Sequence, residues 1–190
     1  GMGAMRPLPR MPSNAATHNA VLRGFVGRRD IRGAARWLGQ MSSLGVAPNV
    51  NSYNALIQAC TEARQPAAAV EWFQAMVAEG LEPNEKSYTE MIRAFNKVGD
   101  TAGASQWFNR MTVAGTPPSV DSYFAMMSSC VQARDPEGAV EWFGRMLSLK
   151  LEPDKRCYTA VIQAFADAGD TLQATEWLKK MRQARVGMDE

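Results

Sequence analysis

Apolar residues recur along the chain at helical spacing, in pairs of short stripes separated by polar breaks. Tyr53, Leu56, Ile57 and Cys60 follow the i, i+3, i+4, i+7 rule of one helix face, and Ala69, Phe73, Met76 and Val77 form a second such stripe. Between them lies a helix-start position, held by Asp30, Gln65, Asp100, Asp135 and Asp170 in successive segments. Aspartate there can accept from the free N–H groups of the next helix. Pro66 and Pro136 follow at the first helical position, where the missing N–H of proline does no harm. The second stripe stops at Gly45, Gly80 and Gly115, which can turn left-handed, and a proline three residues on prevents resumption. Lys150 and Arg185 replace that glycine in the last two segments. The pattern predicts antiparallel pairs of helices, each of about 13 residues and near 20 Å long.

The pairs repeat without a slip. Trp37, Trp72, Trp107, Trp142 and Trp177 fall every 35 residues, each followed four places later by Met41, Met76, Met111, Met146 and Met181. Tyr53, Tyr88, Tyr123 and Tyr158 keep the same interval, with His18 in the first copy. Five units therefore run 15–49, 50–84, 85–119, 120–154 and 155–189. A longer period overlies them. Units two and four share C-x-x-A-R-x-P followed by A-V-E-W-F, units three and five share Y-T, A-F and G-D-T, and net charge by unit alternates as +4, −3, +1, −3 and +2. No unit can bury its stripes alone, so the units must stack, and the expected fold is an all-α solenoid of five helix-turn-helix repeats. Residues 1–14, with Pro7, Pro9 and Pro12, read as a disordered or expression-derived leader. The absence of a polar capping helix after unit five suggests a piece of a longer array.

Composition changes this picture only by exclusion. The chain is 46% hydrophobic and 21% charged with a net charge of +2, a globular balance, and no apolar run reaches the ~20 residues of a membrane span. Its single histidine, His18, removes most acid–base and metal constellations. Cys60, Cys130 and Cys157 form no C-x-x-C and read as reduced thiols. There is no P-loop, nucleophile elbow or deaminase motif. The sequence therefore predicts no enzyme, no metal and no cofactor.

The residues Y-N-A-L-I at 53–57, Y-T at 88 and 158, A-x-x-W-F-x-x-M at 69–76 and G-L-E-P-N at 80–84 resemble the pentatricopeptide repeat family over essentially all of the chain beyond residue 14. The tetratricopeptide alternative has a 34-residue period and a W-x-x-L-G-x-x-Y signature that this sequence lacks. The resemblance implies a right-handed α-solenoid holding single-stranded RNA in its concave groove, one base per repeat, in a mitochondrion or plastid. It further implies that the residue after the tyrosine and the last residue of the unit read the base edge. Those pairs are Asn19 with Asn49, Asn54 with Asn84, Thr89 with Ser119, Phe124 with Asp154, and Thr159 with Asp189. By the family's pairing, Asn with Asn favours C over U, Thr with Asp favours G, and Thr with Ser leans to purine, giving 5′-Y-Y-R-N-G-3′. Phe124 has no hydrogen-bonding group, so unit four stacks on a base or binds none.

The family sandwiches each base between the second residues of successive units, usually valine or isoleucine. Here those places hold Ala16, Asn51, Lys86, Asp121 and Arg156, of which the stems of Lys86 and Arg156 could cover a base face. A lysine near the end of the first helix often meets phosphate, and only Lys97 fits. The polar second positions equally suit a second function, a protein-binding scaffold or structural subunit of an organelle ribosome or other large assembly. The Trp–Met stripe reads as solenoid core. Cys60 and Cys130 read as small buried hydrophobes, Cys157 as occupying a more exposed place, and His18 as terminal packing. Arg23, Arg28, Arg29, Arg32 and Arg36 either meet phosphate or form a solvated face.

Overall fold

The computed structural model describes residues 14–184 and 186, which fold into ten α-helices. The first helices of the pairs are α1 (Ala15–Gly27), α3 (Val50–Glu62), α5 (Glu85–Asn96), α7 (Val120–Ala133) and α9 (Lys155–Asp167). The second helices are α2 (Ile31–Ser43), α4 (Pro66–Ala78), α6 (Thr101–Val113), α8 (Pro136–Ser148) and α10 (Thr171–Gln183). The helix-start aspartates do what their chemistry allows. Asp30, Asp100, Asp135 and Asp170 accept from the backbone N–H three residues on at 2.8–2.9 Å. Gln65 makes no such bond, because its extra methylene carries the amide past the backbone, and Pro66 alone starts α4. Gln65→Asp should therefore stabilise the protein by about 1 kcal/mol, seen as a higher urea midpoint at unchanged slope.

A second set of caps lies between units. Asn49, Asn84, Ser119 and Asp154, the closing residues, accept from the N–H groups of Ser52, Ser87, Ser122 and Cys157 and so start α3, α5, α7 and α9. Asn14, in the segment read as leader, caps α1 in the same way through Thr17. Cys157 is fully buried, not exposed as its place beside Tyr158 suggests. It occupies the inward third position that serine holds in units two to four, and burial pushes its thiol up to about 12. Between units, Gly45, Gly80 and Gly115 adopt φ of 76°, 74° and 72°, and Lys150 takes the same turn at 58°. A side chain in that left-handed region costs roughly 1–2 kcal/mol, a strain the glycines avoid.

The core is a series of aromatic joints. Phe73, on the second helix of unit two, meets Trp107 edge-on at 4.7 Å and Tyr88 at 5.2 Å. Phe108 with Trp142 and Tyr123, and Phe143 with Trp177 and Tyr158, repeat the arrangement at 4.8–5.3 Å. Leu38 replaces the phenylalanine at the first joint. Met41, Met76, Met111 and Met146 are fully buried, whereas Val77 is half exposed and lies outside the stripe its spacing predicts. Among the described residues each odd-numbered helix packs on the next odd one. The even-numbered helices pack their backbones on the odd helices before and after them and stand farther from one another, meeting across the joints through aromatic side chains. A stack closed in one layer and open in the other must curve, with the odd helices on the inside.

Candidate nucleic-acid interface

The groove follows from this curvature. Apolar faces of α1, α3, α5, α7 and α9 are spent on packing, so their polar sides line the inner surface. Three adjoining cavities run along it. The first, about 290 Å³, is lined by Asn19, Arg23, Asn51 and Lys86. The second, about 1030 Å³, takes in Lys86, Thr89, Arg93, Lys97 and Phe124. The third, about 480 Å³, takes in Phe124, Arg156 and Thr159. Of the early arginine cluster, only Arg23 faces this groove; Arg28 and Arg29 sit in the α1–α2 turn, and Arg32 and Arg36 are exposed on α2.

The sequence-predicted reading pairs are brought together in different ways. Asn19 Nδ2 donates to Asn49 Oδ1, and Asn54 Nδ2 donates to Asn84 Oδ1, both at 3.2 Å. The two amide sites are not equivalent. Ser52 Oγ donates to Asn19 Oδ1 at 2.7 Å, whereas Asn54 Oδ1 is buried without a partner. Thr89 and Ser119 meet through Glu85, whose Oε1 accepts from both hydroxyls. Phe124 and Asp154 meet through Arg156, which lies 5.0 Å over the Phe124 ring and donates to Asp154 at 2.7 Å and 2.9 Å. Thr159 is exposed and donates to the Lys155 carbonyl at 2.8 Å; Asp189 lies outside the described residues.

The charged side chains of the groove are largely paired with each other. Arg156 also donates to Asp121 at 2.7 Å, joining the second positions of units four and five. These two carboxylates raise the guanidinium's affinity for its proton. Burial pushes Asp154 up, but the bonds from Arg156 and from the Cys157 N–H outweigh it and leave the carboxyl lowered. Lys97 Nζ donates to Glu62 Oε2 of the preceding unit at 2.9 Å, which lowers Glu62. The lysine predicted to meet phosphate is thus held by a carboxylate, in a half-exposed pair that a ligand could open for about 1 kcal/mol. Lys86 lines the groove.

Sequence reasoning missed two features. Glu85 and Arg156 bridge the third and fourth pairs, and the closing residues cap helices as well as bonding their partners or these bridges. The second was legible in principle: Asn49, Asn84 and Ser119 each precede a serine by three residues, the spacing of a reciprocal cap.

The comparisons with known proteins agree with the geometry. A family model described as the pentacotripeptide-repeat region of PRORP matches residues 13–190. No curated protein matches the sequence. Among solved structures, the pentatricopeptide repeat protein PPR10 in complex with an 18-nt PSAJ RNA element aligns with a TM-score of 0.75 at 21% identity, over 91% of this chain and 25% of that one. The PPR domain of Arabidopsis thaliana protein-only RNase P 1 in complex with tRNA aligns at 0.68 and 20% identity, over 90% and 91%. The nuclear proteinaceous RNase P 2 of A. thaliana aligns at 0.66 and 18% identity, over 89% and 38%. The chain spans about a quarter of the PPR10 chain (25%) and nearly all of the RNase P 1 domain (91%). At these identities the likeness is one of fold.

Proposed function

The chain belongs to the pentatricopeptide-repeat family, and on that premise we propose that it binds single-stranded RNA along the inner groove, one base per unit, as a non-catalytic module acting in a mitochondrion or plastid. One observation carries the reading: in units one and two the paired amides lie side by side on the inner layer, and Asn54 Oδ1 is buried with no partner. A buried carbonyl oxygen without a donor costs about 1–3 kcal/mol, which a cytosine amino group would relieve once the Asn54 side chain turns toward the groove. The proposed target is 5′-Y-Y-R-N-G-3′. Base stacking and edge contacts, each worth ~1–3 kcal/mol per base, supply the affinity, and the small net charge of +2 keeps the salt dependence shallow. A second reading rests on the near-complete mutual coverage with the RNase P 1 domain bound to tRNA: the groove would then meet a folded RNA.

The test is selection of the purified chain on a randomised single-stranded RNA pool, with duplex, tRNA and single-stranded DNA controls at two salt concentrations. Enrichment of the proposed letters with weak salt dependence supports base reading. Preference for tRNA supports the second reading, and no RNA binding moves the function to a protein-binding scaffold. Asn54→Asp removes the amide donor and leaves acceptors only, so the second letter should shift from C toward U, whose N3–H donates. Competition binding with the two bases should show a change of about tenfold in their ratio. An unchanged ratio would sink the assignment of Asn54.

A further inference from the structure

We infer that Glu85 is an additional base-discriminating residue in unit three, turning the Thr89–Ser119 pair into an acceptor-only site that selects guanine. The inference rests on the single-stranded RNA reading. The repeats supply their own controls. In units one and two the reading residues bond each other directly, at 3.2 Å. In unit three they do not. Glu85 Oε1 takes the Thr89 hydroxyl at 2.9 Å, the Ser119 hydroxyl, and the Ser122 hydroxyl at 3.2 Å. The equivalent first positions of the other units hold Ala15, Val50, Val120 and Lys155, so no other unit carries a carboxylate there.

The chemistry follows from counting protons. A hydroxyl has one proton to donate, and those of Thr89 and Ser119 have acceptors in Glu85 Oε1 and Ser122 Oγ, so both are taken up inside the cluster. What they can offer a ligand is lone pairs. Glu85 Oε2, on the same carboxylate, makes no hydrogen bond among the described residues and adds a further acceptor. Glu85 and Thr89 line the same cavity, so these acceptors open onto the groove. An edge that fits must carry donors. Guanine presents two adjacent ones, N1–H and the N2 amino group. Adenine and cytosine each present an amino group beside a ring acceptor, and uracil a single N–H between two carbonyls. Lys86 and Arg93 line the same cavity and offset the added negative charge against the RNA backbone.

The wild-type chain, Glu85→Val and Glu85→Gln are each selected on the randomised single-stranded RNA pool, and affinities are then measured for the selected RNA with each base at the third letter. The wild type should prefer guanine over adenine by about tenfold. Valine, the residue of units two and four, should abolish that preference and leave the other letters unchanged. Glutamine, with one amide donor, should shift it toward adenine, and it keeps the test open if the valine variant fails to fold. Retention of the guanine preference in both variants overturns the inference. So does a uniform gain in affinity for all four bases, which would make the carboxylate a plug and not a reader. A wild type that selects the first two letters but is indifferent at the third overturns this inference alone, whereas one that binds no single-stranded RNA overturns the functional reading with it.

Discussion

Trp107→Ala is expected to destabilise the protein by about 3–5 kcal/mol and to divide one melting transition into two. Trp107 is 5% exposed and stands at the joint of units two and three. Its ring meets Phe73 of α4 at 4.7 Å and Tyr88 and Phe95 of α5 at 6.4 Å, and Arg110 covers it at 4.7 Å. Removing it empties a site bounded by two units. In a linear array each unit is held by its neighbours alone, so a weakened joint lets the two sides melt separately. Trp37→Ala is the control. That ring is half-buried in the terminal unit and stacks on His18 at 5.4 Å, with no phenylalanine from a preceding unit among the described residues. It should cost less and leave a single transition. Calorimetry of both variants checks this; a single transition in Trp107→Ala, shifted no further than in Trp37→Ala, would refute the joint's role.

Glu90→Ala should do the opposite and stabilise the protein at neutral pH. Glu90 is 4% exposed, at a place where the other units carry Ala20, Ala55, Ala125 and Ala160. Burial raises its carboxyl above the usual range, and a repulsive contribution from Glu62 adds to this. Arg93, Lys86 and Lys97 pull the other way without prevailing. The nearest of these, Arg93, is 3.5 Å away and half exposed. A carboxyl whose folded pKa is raised opposes folding when ionised. The penalty is absent below the unfolded pKa and complete above the folded one. Alanine should therefore add about 1–3 kcal/mol at neutral pH, with the gain fading near pH ~4. Urea unfolding at the two pH values reads the difference. A loss of stability at neutral pH would mean that the pairing with Arg93 outweighs burial.

The fold was legible because a strict period turns each residue into a test of the others. Trp37 to Trp177, the helix-start aspartates and the closing glycines mark the ends of helices and the side that packs, since these depend on local backbone chemistry and helical spacing. The stripe erred only at Val77, which spacing places beside Met76 but curvature turns outward to 50% exposure. The site was less legible. Alignment of units picks out Asn54 and Asn84, and the structure brings them to 3.2 Å. It cannot show that Glu85 reaches Ser119, 34 residues away, or that Arg156 spans to Asp121, 35 away. Those contacts depend on the pitch of the stack and on long side chains crossing between units. Cys157 illustrates the same limit: its neighbour in sequence, Tyr158, says nothing about the serine-sized hole it fills.

The double duty of the closing residues sets the terms on which such an array can diversify. Asn49, Asn84, Ser119 and Asp154 bond the proposed reading partners or their bridges and also start the following helix, so a substitution there is judged twice. Among residues with a hydrogen-bonding side chain, asparagine, aspartate, serine and threonine cap best, and under the proposed function these same short groups tell one base edge from another. A lineage drifting toward a new target can exchange letters within this small alphabet without unfolding an intermediate. A change outside it would cost about 1 kcal/mol of junction stability before any ligand is met. The partner position after the tyrosine carries no such obligation, which is how Phe124, without a hydrogen-bonding group, could settle in unit four while Asp154 stayed within the alphabet.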